Sequence, residues 1–114
     1  MLDVFEQFES DVMYKIISEN NEISDELVKQ YKNAKVVSRE FTGVGFYTNF
    51  MVSNENLRLK DNFNVEMGNV QAELDGLKYG AGFVLFIRDG FIKSLEGYTY
   101  DEPWPKRIIN YSFE

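Results

Sequence analysis

The residues best equipped for chemistry lie together near the end of the chain: Glu96, Tyr98, Tyr100, Asp101, Glu102 and Trp104. Upstream of them, Asp89-Gly90 is a pair suited to a type I′ turn, which needs positive φ at both central residues, and it folds residues 82–97 into a hairpin. Counting outward from that turn, Ile92 faces Ile87, Leu95 faces Val84 and Glu96 faces Phe83. Glu96 then shares a face with Phe83, Leu85 and Ile92. A carboxyl group surrounded by hydrophobes keeps its proton to higher pH and suits general-acid work. That makes Glu96 the candidate catalytic residue. The alternative is a strand-end glutamate that pairs with an Arg or Lys or reaches water. Spacing places no second carboxylate beside it, so the paired acids of a glycosidase are unsupported.

Tyr98 and Tyr100 fall on the same strand face as Glu96, and Trp104 stands between Pro103 and Pro105. Aromatic rings supply contact area with few rotors to freeze, so rings and acids beside a stiff loop compose a protein-binding surface. Tyr98, Tyr100, Asp101 and Glu102 are the candidate partner-binding residues. For Trp104 two roles stay open, a plug at the end of the core and an anchor at an interface.

Other chemistries are closed. The 114 residues include no cysteine and no histidine. Disulfides, thiolate nucleophiles, Cys/His metal centres and imidazole-based triads are therefore excluded. Gly43-Val44-Gly45 is followed by neither a third glycine nor a helix, and Gly80-Ala81-Gly82 opens a strand, so neither is a phosphate loop. Asp61, Asn62 and Asn64 lack the glycine and glutamate that complete a calcium loop. No cofactor and no metal is expected.

Charge narrows the partners. Twelve Lys and Arg against 19 Asp and Glu give a net charge of −7. That excess repels phosphate backbones, which disfavours nucleic acid, and it suits a basic protein partner. It equally serves to keep a small protein in solution. Eight acids in residues 1–35 (Asp3, Glu6, Glu9, Asp11, Glu19, Glu22, Asp25, Glu26) against four lysines read as a solvated helix face. Set beside Asp101 and Glu102, they would present nucleic-acid-like charge to a basic toxin or nuclease. The longest apolar run, residues 81–87, is far short of the roughly 18 residues of a membrane span. Residues 1–6 lack the basic and apolar regions of a secretory signal, so the chain reads as cytoplasmic.

The elements that must position these residues follow from periodicity. Phe5, Phe8, Val12, Met13, Ile16 and Ile17 recur at spacings of three and four, which predicts a helix over residues 3–19. Asp3 caps it, Glu6 completes a capping box, and Asn20-Asn21 stops it. Ser24 is the expected N-cap of a second helix near 25–32, with Ile23 and Val28 as a hydrophobic staple and Leu27, Val28 and Tyr31 as its stripe. From Val36 the period is two. Residues 36–42 and 44–52 form a strand pair, with Phe46, Thr48 and Phe50 on one face and Tyr47, Asn49 and Met51 on the other. Phe63, Val65 and Met67 are apolar at odd positions, and Val70, Ala72 and Leu74 at even ones. A bulge at Gly68 keeps both sets on one face. Residues 83–87 are apolar on both faces, as in a central strand, and a last strand spans 108–113. The expected fold is α+β in a single domain, residues 1–114, with two N-terminal helices (about 3–32) on a mostly antiparallel sheet of five or six strands (about 36–113).

Residues 82–90 (Gly-Phe-Val-Leu-Phe-Ile-Arg-Asp-Gly), then Leu95-Glu96-Gly97-Tyr98-Thr99-Tyr100 and Trp104-Pro105, resemble a signature of small bacterial proteins of unassigned function. Phe41-Thr42-Gly43-Val44-Gly45-Phe46 is similar to their earlier strand. Some such proteins resemble immunity proteins of bacterial toxin systems. The resemblance runs from Phe41 to the end, and much of it is turn glycine and core strand, so it implies fold more than activity. Three functions are open: a non-catalytic binding protein, in concrete form an immunity protein occluding a basic toxin domain; a small enzyme or ligand-binding protein using Glu96 and tyrosines in a cleft; and a structural domain forming homo-oligomers through a strand edge.

Overall fold

The hydrophobic period changes from helical to alternating at Val36, and the backbone changes to strand at Lys35, one residue earlier. The structure is a computed structural model describing residues 4–114. Helix α1 (Val4–Ser18) buries Phe8, Val12, Met13, Ile16 and Ile17, the expected stripe, and Phe5 packs half-buried against it. Asn20 closes the helix by donating its side-chain amide to the Ile16 carbonyl at 2.8 Å. The proposed cap, Asp3, lies outside the described residues.

Helix α2 (Ser24–Asn33) corrects one expectation: its N-cap is Ile23, with no side-chain cap, and Ser24 is already helical. The Ile23 carbonyl accepts the Leu27 N–H at 3.0 Å. Ile23 also packs against the core. Docking that side chain outweighs a hydroxyl cap worth about 1 kcal/mol.

Six antiparallel strands follow: β1 (Lys35–Phe41), β2 (Gly45–Met51), β3 (Val65–Leu74), β4 (Ala81–Arg88), β5 (Phe91–Thr99) and β6 (Tyr111–Phe113). Their order across the sheet is β1-β2-β5-β4-β3-β6, so the β4–β5 hairpin is central and the fold is α+β. Strand β6 is shorter than expected. Both helices lie on one face, α1 over β3 and β4 and α2 over β5. Beneath them sit Phe46 and Phe50 of β2, Met67, Val70, Ala72 and Leu74 of β3, Phe83, Leu85 and Ile87 of β4, and Ile92 and Leu95 of β5. Among the described residues the opposite face carries no helix.

Bulges decide which side chains reach which face. In β3, Met67 pairs with Leu85 and Val70 with Phe83, so Gly68 and Asn69 together span one partner residue. Both apolar sets stay inside, as the sequence implies, although Asn69 takes the left-handed conformation (φ 67°) rather than Gly68. In β5 an unexpected bulge appears: Ile92 faces Ile87, but Ser94 faces Phe86, leaving Lys93 as the extra residue. Leu95 therefore faces Leu85, and Glu96 faces Val84 rather than Phe83. The reason lies in Ile92 and Leu95, three residues apart. Only a bulge buries both, and burying one such side chain contributes about 1.5–3 kcal/mol against about 1 kcal/mol for a lost ladder bond. Strand β1 has a third bulge, at Val37.

Three polar side chains, Glu9, Gln30 and Thr48, are buried with the core. Gln30 donates to the carbonyls of Leu57 and Gly90 and accepts the Ile92 N–H, each at 2.8 Å, tying α2 to the hairpin turn. There Asp89 (φ 49°) and Gly90 (φ 81°) adopt the positive φ the turn requires. Glu9 is 3% exposed and does not belong to a solvated acidic face. The Arg39 guanidinium donates to both its oxygens at 2.8 and 3.0 Å, and Thr48 Oγ1 donates at 2.5 Å. That clamp fastens α1 to β1 and β2.

Candidate functional site

The bulge at Lys93 delivers Glu96 to the open face of the sheet. Glu96 is therefore not enclosed by Phe83, Leu85 and Ile92, and the apolar surrounding that would suit general-acid work is absent. Across β2 its neighbour is Tyr47, whose hydroxyl donates to Oε2 at 2.9 Å. The Glu96 hydrogen bond, and then its charge, hold the Tyr47 phenol above its ordinary pKa, so this hydroxyl remains a donor. Among the described residues no Lys or Arg forms an ion pair with Glu96. Glu40, which faces Tyr47 from β1, adds a second carboxylate.

Further along β5, Tyr98 lies over Gly82, where a Cβ would come within 2.5 Å of its ring. The missing side chain is what lets the ring lie flat. Tyr100 meets Tyr98 edge-on, with ring centroids 5.6 Å apart, and its hydroxyl donates to Gln71 Oε1 at 2.7 Å. Burial, followed by the hydrogen bond to the Tyr100 hydroxyl, raises the Tyr98 phenol above its usual pKa. Tyr47, Glu96, Tyr98 and Tyr100 thus share one surface with half-buried Val84 and Phe86. Tyr47 and Tyr100 remain 36% and 38% exposed, enough ring to be covered by a partner.

The other candidates separate from this group. Asp101 is exposed and takes a left-handed turn (φ 57°) that carries the chain off β5. Glu102 is committed locally: its carboxylate accepts the N–H groups of Lys78 and Tyr79, both at 2.8 Å, and its carbonyl accepts the Thr99 hydroxyl. Trp104 packs on Phe46 (5.2 Å between centroids) and Phe8 (6.3 Å), and its backbone N–H donates to the Gly43 carbonyl at 2.8 Å. It closes the core where β1 turns into β2, and its outer edge lines a cleft.

Tyr47 is the site residue that sequence reasoning passed over as a partner for Glu96. Alternation in β2 places it opposite Phe46 and Thr48, but nothing local shows that β2 lies beside β5. Clefts of about 730 Å³ (between residues 72–80 and 110–114) and about 630 Å³ (between α1, β1 and residues 104–108) lie elsewhere, and Glu96 lines neither. Among the described residues no three acidic side chains converge as a metal site requires. No described helix is long and apolar enough to cross a membrane. What the open face offers is apolar area, aromatic rings and carboxylate acceptors without a cation to neutralise Glu96. Comparison with family models, curated proteins and solved structures gives no match, so the functional reading rests on this geometry.

Proposed function

We propose that this chain is a non-catalytic, cytoplasmic, acidic protein-binding domain that covers a basic partner with the open face of its sheet, as an immunity protein occludes a toxin domain. The observation that carries the reading is the surface of Tyr47, Glu96, Tyr98 and Tyr100 around Val84 and Phe86, with no helix over it and no cation paired to Glu96 among the described residues. Tyrosines flanked by an acceptor suit arginine and lysine side chains, which both stack on rings and pair with carboxylates. A net charge of −7 adds long-range attraction for a basic partner.

The test uses the product of the gene adjacent to the one encoding this chain, titrated against wild-type protein and against Tyr98→Ala and Tyr100→Ala. Binding is expected, with association slowing as salt rises, because charge steering is screened beyond about 8–10 Å at ordinary ionic strength. Each tyrosine variant is expected to lose about 2 kcal/mol or more of affinity, as for an anchor at an interface centre, while the melting temperature changes little. Salt-insensitive binding to an acidic partner, or variants that unfold rather than merely release the partner, would overturn it.

A further inference from the structure

The second cleft is unlike the rest of this acidic molecule. Its walls are Phe5 at the start of α1, Phe41 at the end of β1, and Trp104, Pro105 and Ile108 of the loop before β6. The rings form one connected floor: Phe5 meets Phe41 at 5.4 Å and Phe46 at 5.0 Å, and Phe46 meets Trp104 at 5.2 Å. Phe41 is 59% exposed, a large apolar side chain that folding leaves facing water. Lys106 and Arg107 complete the lining. Both are exposed, and neither forms an ion pair among the described residues. Two cations with no ion-pair partner among the described residues, set beside an aromatic hollow, stand out in a chain of net charge −7.

We propose that this cleft is a binding site for a small apolar monocarboxylate, its hydrocarbon body against Phe5, Phe41 and Trp104 and its carboxylate on Lys106 and Arg107. The volume, about 630 Å³, falls within the roughly 300–1,000 Å³ of small-molecule sites. A guanidinium takes a carboxylate in two parallel hydrogen bonds, which fixes the orientation of the ligand. The same charge arithmetic selects the ligand class. A single carboxylate can contact both local cations and adds only one negative charge, whereas a polyanion, an acidic peptide or an anionic membrane surface meets the repulsion of the whole molecule. This site lies apart from the open sheet face and does not depend on its role.

Trp104 is the single tryptophan of the chain, so its emission reports this cleft alone. The experiment titrates decanoate and, separately, uncharged decanol into the full chain below their aggregation limits while following that emission. Decanoate is expected to give a saturable change with an affinity roughly tenfold above that of decanol, the contribution of a charge-assisted pair. In the double variant Lys106→Gln with Arg107→Gln, decanoate should fall to the level of decanol. Phe41→Ala, an exposed position whose loss leaves the core intact, should weaken both ligands. The absence of a saturable response, equal affinities for the two ligands, or an unchanged double variant would overturn the proposal. So would sedimentation showing that a second copy of the chain buries Trp104 and decanoate leaves that state unaltered.

Discussion

Two consecutive residues of β2 hold two carboxylates on opposite sides of the sheet. Thr48 donates to Glu9 beneath the helices, and Tyr47 donates to Glu96 on the open face. Glu9 has lost its water and gained a guanidinium with two further hydrogen bonds. Glu96 has one hydroxyl partner and keeps part of its hydration. The same side chain is a structural fastener in one place and an available acceptor in the other. What differs is the covering layer: a carboxylate taken out of water must be paired and fully hydrogen-bonded, whereas one at a wet surface can wait for a partner.

The largest expected effect comes from Gln30, another buried polar group on the covered side. Gln30→Ala takes the side-chain partner from the Leu57 carbonyl and the Ile92 N–H, while the Gly90 carbonyl keeps the Leu59 N–H, and should cost about 3–4 kcal/mol in urea unfolding, whereas Gln71→Ala on the open face should stay within about 0.5 kcal/mol. Glu9→Ala comes next, at about 3 kcal/mol. That lies at the lower end for breaking a buried pair, because the Arg39 side chain, 27% exposed, can turn partly to water. Glu96→Ala should again change stability by no more than about 0.5 kcal/mol. Similar losses at Glu9 and Glu96 would break the comparison.

The smallest effect is a matter of pH. Burial, then the hydrogen bond to Asp11 and the charge of that carboxylate, push the Tyr111 phenol up to about 12. In the unfolded chain it titrates near its ordinary value of about 10. The folded state thus holds a proton that the unfolded state releases. This contribution is complete below about pH 10 and is lost as pH rises through about 12. Tyr111→Phe should flatten the alkaline fall of the melting temperature more than Tyr47→Phe does, since Tyr47 lies on the open face. The reverse order would place the more strongly coupled tyrosine on the wrong side of the sheet.

Where backbone form follows from spacing, the chain is readable. The α1 stripe, the Asp89-Gly90 turn and the bulge after Met67 each show in local sequence. The bulge at Lys93 shows too, in Ile92 and Leu95 standing three apart, but period-two counting from the turn runs past it and sends Glu96 to the wrong face. Glu9 keeps helical phase with Phe5, Phe8, Val12 and Met13, which is the available sign that it is buried. Its partners, Arg39 and Thr48, are 30 and 39 residues away, and no local pattern names them. The site is less legible for the same reason. Glu96, Tyr98 and Tyr100 share a strand and can be grouped by alternation, whereas Tyr47 and Gln71 arrive from strands whose neighbours are set by the order of the whole sheet.

The bulge at Val37 has a consequence for colloidal behaviour. Strand β1 is an outer strand, and Val36, Val37 and Phe41 are exposed along it. A straight run of that composition would offer its free amides and carbonyls to the same run of another molecule, and such stacking, once begun, has no natural end. The extra residue kinks the strand and interrupts the row of backbone groups, while Lys35 places a charge where copies would meet. On the far side β6 has three residues, too few to template a fibre. Irregular borders of this kind are expected to keep a concentrated solution free of growing aggregates, and deleting Val37 alone should give the protein an edge on which fibrils can nucleate, visible as a rise in thioflavin fluorescence.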